Sequence, residues 1–299
     1  MLYPLISDYV AIFRRDDTWK NSDEATGKLL KMSERTVKRR VTKFEQIKRK
    51  GQGFSSTSPS SVKTIIPVFM GPWRNMDPGH EQIDTVVHCG STLKGDMVYT
   101  LNSTDVATYW NLLGAQWNKG EEATIENRNR LRKRLPFKHV HDHSDTGGEF
   151  INRATLIWNK KTGINLTRSR PNKKNDNAYV EERNGHIVRK YVGYIRLDCI
   201  EAIEALNNLY LRVNTYTNHF ISSRKTIDTV REGSKYKRTY EKALTPYQRV
   251  LVHLKISEKV KETLRLEHAK LNPAVLLKEI ERLRAILYDV QRKHGSQIT

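Results

Sequence analysis

Between residues 80 and 195, short runs dense in β-branched residues alternate with charged, helix-forming stretches, and this rhythm constrains the fold more than any other feature. QIDTVVH (82–88), MVYTLNSTD (97–105) and YWNLLGAQW (109–117) read as three strands joined by turns. Residues 121–134 are charged and helical and end before Pro136, and KHVHDHSD (138–145) is the next strand. A helix follows Gly147–Gly148, runs to about Lys161 and stops at Gly163; INLTRSR (164–170) is then a short strand closed by Pro171. DNAYVEERNGHIVRKYVGY (176–194) reads as a closing helix. The order β-β-β-α-β-α-β-α predicts an α/β domain, a mixed sheet with covering helices.

Both flanks differ from this centre. In residues 22–50, Ser22 can cap a short helix through Leu30, and Ser33 can cap a second after a Lys31–Met32 turn. Val37, Val41 and Phe44 give the second helix an apolar stripe. Its other faces carry Arg35, Lys38, Arg39, Arg40, Lys43, Lys48, Arg49 and Lys50 against Glu34 and Glu45. A short helix, a tight turn and a basic helix predict a helix-turn-helix DNA-binding segment. Residues 51–64, rich in Gly, Ser and Pro, read as a linker, with ordered structure resuming near Ile65. Downstream, 198–214 reads as helix and 222–249 as basic and irregular; helices follow near 256–270 and 273–293. The last is amphipathic through Val275, Leu276, Ile280, Leu283 and Leu287, a face for the domain or for a second subunit. The expected organisation is 1–50 helix-turn-helix segment, 51–78 linker, 79–197 catalytic core and 198–299 basic, mainly helical region.

A net charge of +20 decides what kind of partner such a chain attracts: a polyanion. Without an apolar run of about 18 residues, a signal-peptide pattern or a lipidation motif, nucleic acid is favoured over a membrane surface. Cys89 and Cys199 lie far apart and form no CxxC pair, so neither a disulfide framework nor a Cys-based zinc site is expected, and a reducing cytoplasm fits.

Three carboxylates stand out for chemistry. Asp84 interrupts an apolar strand, where a carboxylate is costly unless paired, solvated or metal-bound. Asp145 ends a strand before Thr146–Gly147–Gly148, at the carboxyl edge where open α/β sheets bind ligands. Glu181 lies about one turn into the closing helix. Converging carboxylates are what two-metal phosphodiester chemistry needs, because Mg²⁺ prefers hard oxygen ligands.

The words around these residues resemble a known family. Asp145 and Glu181 are separated by 35 residues, and QIDTVVHCG, HSDTGGEFIN and SRPNKKNDNAYVEERN surround the three acids. Together with TSPSSVK before and GSKYKRTY and TPYQRVL after, they resemble bacterial insertion-sequence transposases with a DDE integrase core, over about residues 55–252. The resemblance implies an RNase H-like fold and two Mg²⁺ or Mn²⁺ ions held by Asp84, Asp145 and Glu181. It further implies cleavage at the ends of a mobile element, strand transfer into double-stranded target DNA, a homo-oligomer and a place on the cytoplasmic nucleoid. Asn184 matches an Asn beside the active site of related integrases. Asn184, Arg183, Arg189 and Lys190, with Arg35, Lys38 and Arg39 of the helix pair, are expected on DNA. Two words depart from the family: Thr146 replaces Asn, and Asn172–Lys173 replaces Tyr–His. Relatives also carry more residues ahead of the helix pair, so a truncated N-terminus is an expectation.

Neighbouring residues invite other readings. His139, His141 and His143 would share a strand face with Asp145; packing around the site is expected of them, with His143 nearest, rather than zinc binding. Asp142 and Glu182 should point away, Asp105 should end a strand and cap a turn, and Glu149 should stabilise a helix start. Trp73, Trp110, Trp117 and Trp158 are expected in the core or at its edge, and the basic stretch 224–239 on phosphates. The competing functions are a DNA-binding regulator without catalysis and an RNA-directed nuclease of the same fold.

Overall fold

Strands β1 (His80–Val87), β2 (Val98–Asp105) and β3 (Asn111–Trp117) form where β-branched and apolar residues concentrate, and two short strands follow, β4 (His141–Ser144) and β5 (Asn165–Arg168). The computed structural model describes residues 3–46, 65–69, 71–73, 75–170, 173–232 and 235–296. The five strands make one mixed sheet in the order β3-β2-β1-β4-β5. β1, β2 and β3 pair antiparallel, whereas β4 runs parallel to β1 and β5 parallel to β4. The molecule is thus a mixed α/β protein with helices around a five-stranded sheet.

Register puts alternate residues of each strand on opposite faces. Val86, Val98, Leu113 and Ala115 face one core with Leu206, Leu209, Tyr210 and Val213, while Ile83, Leu101 and Leu112 face another with Leu131, Phe150 and Ile151. α4 (Glu121–Arg132) supplies Leu131 and α8 (Glu201–Phe220) the four residues of the first core, while α5 (Arg153–Thr162) packs Leu156 against the second. Between α5 and α8 the expected closing helix is broken into four pieces: a 3₁₀ turn (Lys174–Asn177), α6 (Ala178–Arg183), a π-helical stretch (Asn184–Arg189) and α7 (Lys190–Val192).

The edge strand β3 is covered by α8 through side chains. Asn207, Asn214 and Asn218 accept from the amides of Ala115, Leu113 and Asn111 at 2.9, 3.1 and 2.9 Å. Each also donates back to the carbonyl of the same residue, at 3.3, 3.2 and 2.8 Å. An open sheet edge is thereby closed by three primary amides, each supplying one donor and one acceptor. At the opposite edge Val68 bridges to Arg168 of β5, and Ile66 is buried.

In the N-terminal part, α2 (Asp23–Leu30) and α3 (Glu34–Gln46) form the expected pair, with Ser22 accepting from Ala25 N at 3.2 Å and Ser33 from Thr36 N at 3.4 Å. Val37 is buried, while Val41 lies at the exposed margin. The side chains of Lys43 and Phe44, together with Lys48, Arg49, Lys50 and the linker 51–64, lie outside the described residues. Ahead of the pair, α1 (Ile6–Arg15), not read from the sequence, docks through Tyr9, whose hydroxyl donates to the carbonyl of Phe220 at 2.9 Å.

One stretch differs plainly from expectation. Residues 222–249 are not irregular: β6 (Thr226–Glu232) and β7 (Lys235–Tyr240) form an antiparallel ribbon, and α9 (Pro246–Val252) starts from a capping box of Thr245 and Gln248. Val230 and Tyr240 are exposed, so no buried face imprints an apolar period on these strands, and the dense charge masks their β-branched alternation. Two further helices follow, α10 (Glu258–Ala269) and α11 (Pro273–His294). α11 buries Leu276, Ile280 and Leu287 in the α8 core of the same chain, whereas Val275 is exposed.

Candidate active site

The parallel pairing of β1 and β4 brings the first two acids together. Ile83 is registered with Ser144, the last residue of β4, so Asp84 within β1 stands beside Asp145 just past the end of β4, on the same face. Asp84 Oδ1 accepts from its neighbour's amide, Thr85 N, at 2.8 Å, and Oδ2 accepts from Asn184 Nδ2 at 2.6 Å. Asp145 Oδ1 accepts from Gly147 N at 2.8 Å, which shapes the turn leaving β4. Burial first, then the negative charge of Asp145, with a lesser push from Glu149, raises the Asp84 carboxyl to about 7 against the pull of Thr85 and Asn184.

α6 lies over this face because Gln82 and Asn102 anchor it. Gln82 Oε1 accepts from the amides of Tyr179 and Val180 at 2.9 and 3.3 Å, and Asn102 Nδ2 donates to the carbonyl of Val180 at 3.3 Å. A relay of three asparagines then reaches the acid. Asn111 Nδ2 donates to Asn102 Oδ1 at 2.5 Å, Asn102 Nδ2 to Asn184 Oδ1 at 2.7 Å, and Asn184 Nδ2 to Asp84. Each amide fixes the orientation of the next, so the one that meets Asp84 presents its NH₂. Asn184 also opens the π-helical stretch, a local irregularity frequent at functional sites.

Glu181 sits in α6 three residues before Asn184, on the adjoining helix face, and is exposed. Arg189 donates through Nη2 to the carbonyl of Val87 at 2.9 Å with its guanidinium 4.8 Å from the Tyr194 ring, so it braces the end of β1; Lys190 is exposed. Arg183, expected on phosphate, is instead buried with its guanidinium 5.2 Å from the Tyr109 ring, because the helix turns it inward. Arg35, Lys38 and Arg39 are exposed on α3, where Lys38 pairs with Glu34 at 2.9 Å. Thr146 is half-buried in the turn after Asp145, and Asn172 lies outside the described residues.

Around the pair, packing accounts for the other titratable groups. His143 meets Thr167 Oγ1 and Ser169 Oγ at 2.9 and 3.0 Å, edge-on to Trp73, and burial pushes it down to about 3. His141 meets Thr167 Oγ1 at 2.7 Å. His139 does not share their face: it precedes β4 and joins buried Asp142 at 2.8 Å, opposite Arg128, which also pairs with Asp142. Asp105 accepts from Thr108 N and Oγ1, both at 2.6 Å, and so caps the turn after β2. Trp110 and Trp158 are buried, the latter stacked under Arg128.

Glu149 departs from its expected part. α5 is capped by Asn152, while Glu149 turns inward to accept from Thr85 Oγ1 at 2.6 Å. Its Oε2 is buried without a hydrogen-bond partner, and Oε2 and Asp145 Oδ1 both crowd the side of Gly147 where a Cβ would stand, at 2.8 and 2.9 Å. A side chain at Gly147 would therefore collide with both acids. The pairing with Thr85 was unreadable from sequence, because it joins residues 64 apart; the Gly-Gly-Glu run after Asp145 was its one local signal.

These observations test the fit to a divalent cation. A carboxylate pair forced together, one member raised to about 7, beside an orphaned carboxylate oxygen, has the hard-oxygen, excess-negative chemistry that suits Mg²⁺ or Mn²⁺. Asp84 and Asp145 fit. Among the described residues, however, no three His, Cys, Asp or Glu side chains are gathered closely enough to hold an ion by themselves.

No family model matches the chain. Among solved structures, it is similar to a chain of a simian T-cell lymphotropic virus intasome in complex with the PP2A regulatory subunit B56 gamma. The identity is 16%, the TM-score 0.33, and the match spans 40% of this chain and 43% of that one, less than half of its length. No helix among the described residues is long and apolar enough to cross a membrane. The uncharacterized protein y4rM of Sinorhizobium fredii is 33% identical over 249 residues, which cover 83% of this chain and 71% of the relative. At that identity and coverage, the chain belongs to the same protein family as y4rM.

Proposed function

We propose that the chain is a DDE integrase/transposase that cleaves DNA at the ends of a mobile element and joins them to target DNA, with its sheet as an RNase H-like core. The observation that carries this reading is the meeting of Asp84, within β1, and Asp145, at the end of the adjacent parallel β4, with Asp84 bonded to Asn184 of the helical segment that also bears Glu181. The 35-residue interval between Asp145 and Glu181 and the words around them support it.

In this reading Asp84 holds Mg²⁺ or Mn²⁺ from within β1, Asp145 from the end of β4 and Glu181 from the helix. Bound as two ions, the metal supplies the Lewis acidity that activates the attacking oxygen and stabilises the leaving one. The protein's own residues orient: the asparagine relay fixes Asp84, Gly147 N fixes Asp145, and Glu149 adds negative charge behind both. Arg35, Lys38 and Arg39 of the helix-turn-helix pair would bind duplex DNA, with Arg189 and Lys190 nearer the acids. Handling two DNA ends calls for a homo-oligomer working on the nucleoid. The same reading divides the chain into the helix-turn-helix segment, linker, core and helical region expected above.

The exposure of Glu181 favours one competing reading, a DNA-binding regulator without catalysis. Incubation with Mn²⁺ and duplexes carrying the inverted repeats that flank the coding sequence separates the two. Cleavage and joining of duplex DNA are expected; tight, sequence-specific binding without cleavage would establish the regulator. Preferential cutting of an RNA–DNA hybrid would point to a nuclease of the same fold.

A further inference from the structure

The β6–β7 ribbon divides its charges unequally between its faces. Asp228 pairs with Thr239, Val230 with Lys237 and Glu232 with Lys235, so Asp228, Val230, Glu232, Lys237 and Thr239 share one face. Acid meets base there, with Lys237 Nζ 3.4 Å from Glu232 Oε1. The opposite face is set by the pairing of Thr229 with Arg238. It carries Arg231 and Arg238 as diagonal neighbours, together with Thr229 and Tyr240, and no acid among its described side chains. Both arginines are exposed.

The root of the ribbon is fixed. Glu241 N donates to the carbonyl of Lys225 at 3.0 Å, Arg249 pairs with Glu241, and Arg249 Nη2 donates to the carbonyl of Ser223 at 2.7 Å. Lys225 donates to the carbonyl of Ala107 with its ammonium 4.9 Å from the Tyr109 ring. Arg224 pairs with Glu34 at 3.3 Å, which ties this root to α3, the helix bearing Arg35, Lys38 and Arg39. A two-stranded ribbon has the cross-section that the major groove of B-DNA admits.

We propose that the ribbon is a second DNA-docking element, set beside α3, whose Arg231 and Arg238 contact duplex phosphates while its Glu232–Lys237 face turns away. This rests on the DNA-handling reading above. The test is binding of the full chain to a fluorescein-labelled duplex, followed by anisotropy across a salt series. Arg231→Ala and Arg238→Ala should each reduce the slope of log K against log salt by about 1, and Lys237→Ala should leave it near the wild-type value. The double arginine variant should bind roughly tenfold or more weakly at moderate salt, with an unchanged melting temperature. Equal effects of Arg238→Ala and Lys237→Ala would overturn the assignment of faces. Wild-type binding with a slope that the arginine variants do not change would overturn the ribbon proposal and leave the DNA reading standing, with an acidic protein as the ribbon's next candidate partner. A wild-type chain without affinity for duplex DNA would overturn both.

Discussion

Asn184 donates to Asp84 at 2.6 Å only because Asn102 holds the other end of its amide, at 2.7 Å. If Asp84 is a metal ligand, this is support of the kind whose loss usually costs about 10–100-fold in metal affinity or activity. Asn184→Ala should therefore weaken Mn²⁺ binding and strand cleavage by that range. Asn102→Ala should follow it, because the amide of Asn184 is then free to turn over. Asp84 carries a second prediction. Its folded pKa, about 7, lies above the unfolded value, so the folded state binds the extra proton. The sign follows: stability falls as pH rises from about 4 to about 7 in the metal-free protein. A bound divalent cation removes that penalty, so the rise in melting temperature on adding Mn²⁺ should be larger at pH 8 than at pH 5.5. Asp84→Asn should flatten the difference; an equal rise at both values would remove Asp84 from the cation's ligands. From the residues alone, Asp84 and Asp145 were legible only as an acid inside a strand and an acid at a strand end; the words around them are what singled them out. The inward turn of Glu149 was not, since it depends on the register of β1 against β4.

At the scale of elements, the strands and helices were legible where their signals are local: runs of β-branched and apolar residues in β1 to β3, a helix stop at Gly163, caps at Ser22 and Ser33. What escaped depends on distant partners. Asn207, Asn214 and Asn218 look like ordinary polar positions of α8 until β3 lies beside them, 92 to 107 residues away in sequence. Asn214→Ala strips both backbone groups of buried Leu113 of their partner, and each unpaired buried group costs about 1–3 kcal/mol. A loss of roughly 2–5 kcal/mol in denaturant unfolding is expected. A change below about 0.5 kcal/mol would mean that water replaces the side chain and that α8 does not close the edge. The ribbon escaped for another reason: its strands bury no face, so the period that marks a strand carries no apolar signal.

For the whole molecule, α1 and α11 both rest on α8, and α8 rests on the sheet that brings Asp84 and Asp145 together. The N-terminal and C-terminal parts are in this way tied to the candidate site's scaffold, and Arg224 links the ribbon root to α3. The family shared with y4rM carries no activity of its own into this picture, so the central claim rests on the acids. Joining of a labelled element-end duplex to target DNA with Mg²⁺ or Mn²⁺, compared between wild type, Asp145→Asn and Glu181→Gln, tests it most directly. The account predicts joining by the wild type and a loss of roughly a thousandfold or more in each variant, with folding and DNA binding retained, since metal-borne charge stabilisation is worth several kcal/mol. Joining that persists in Asp145→Asn, or a wild type that binds these ends tightly and never cuts them, would contradict it.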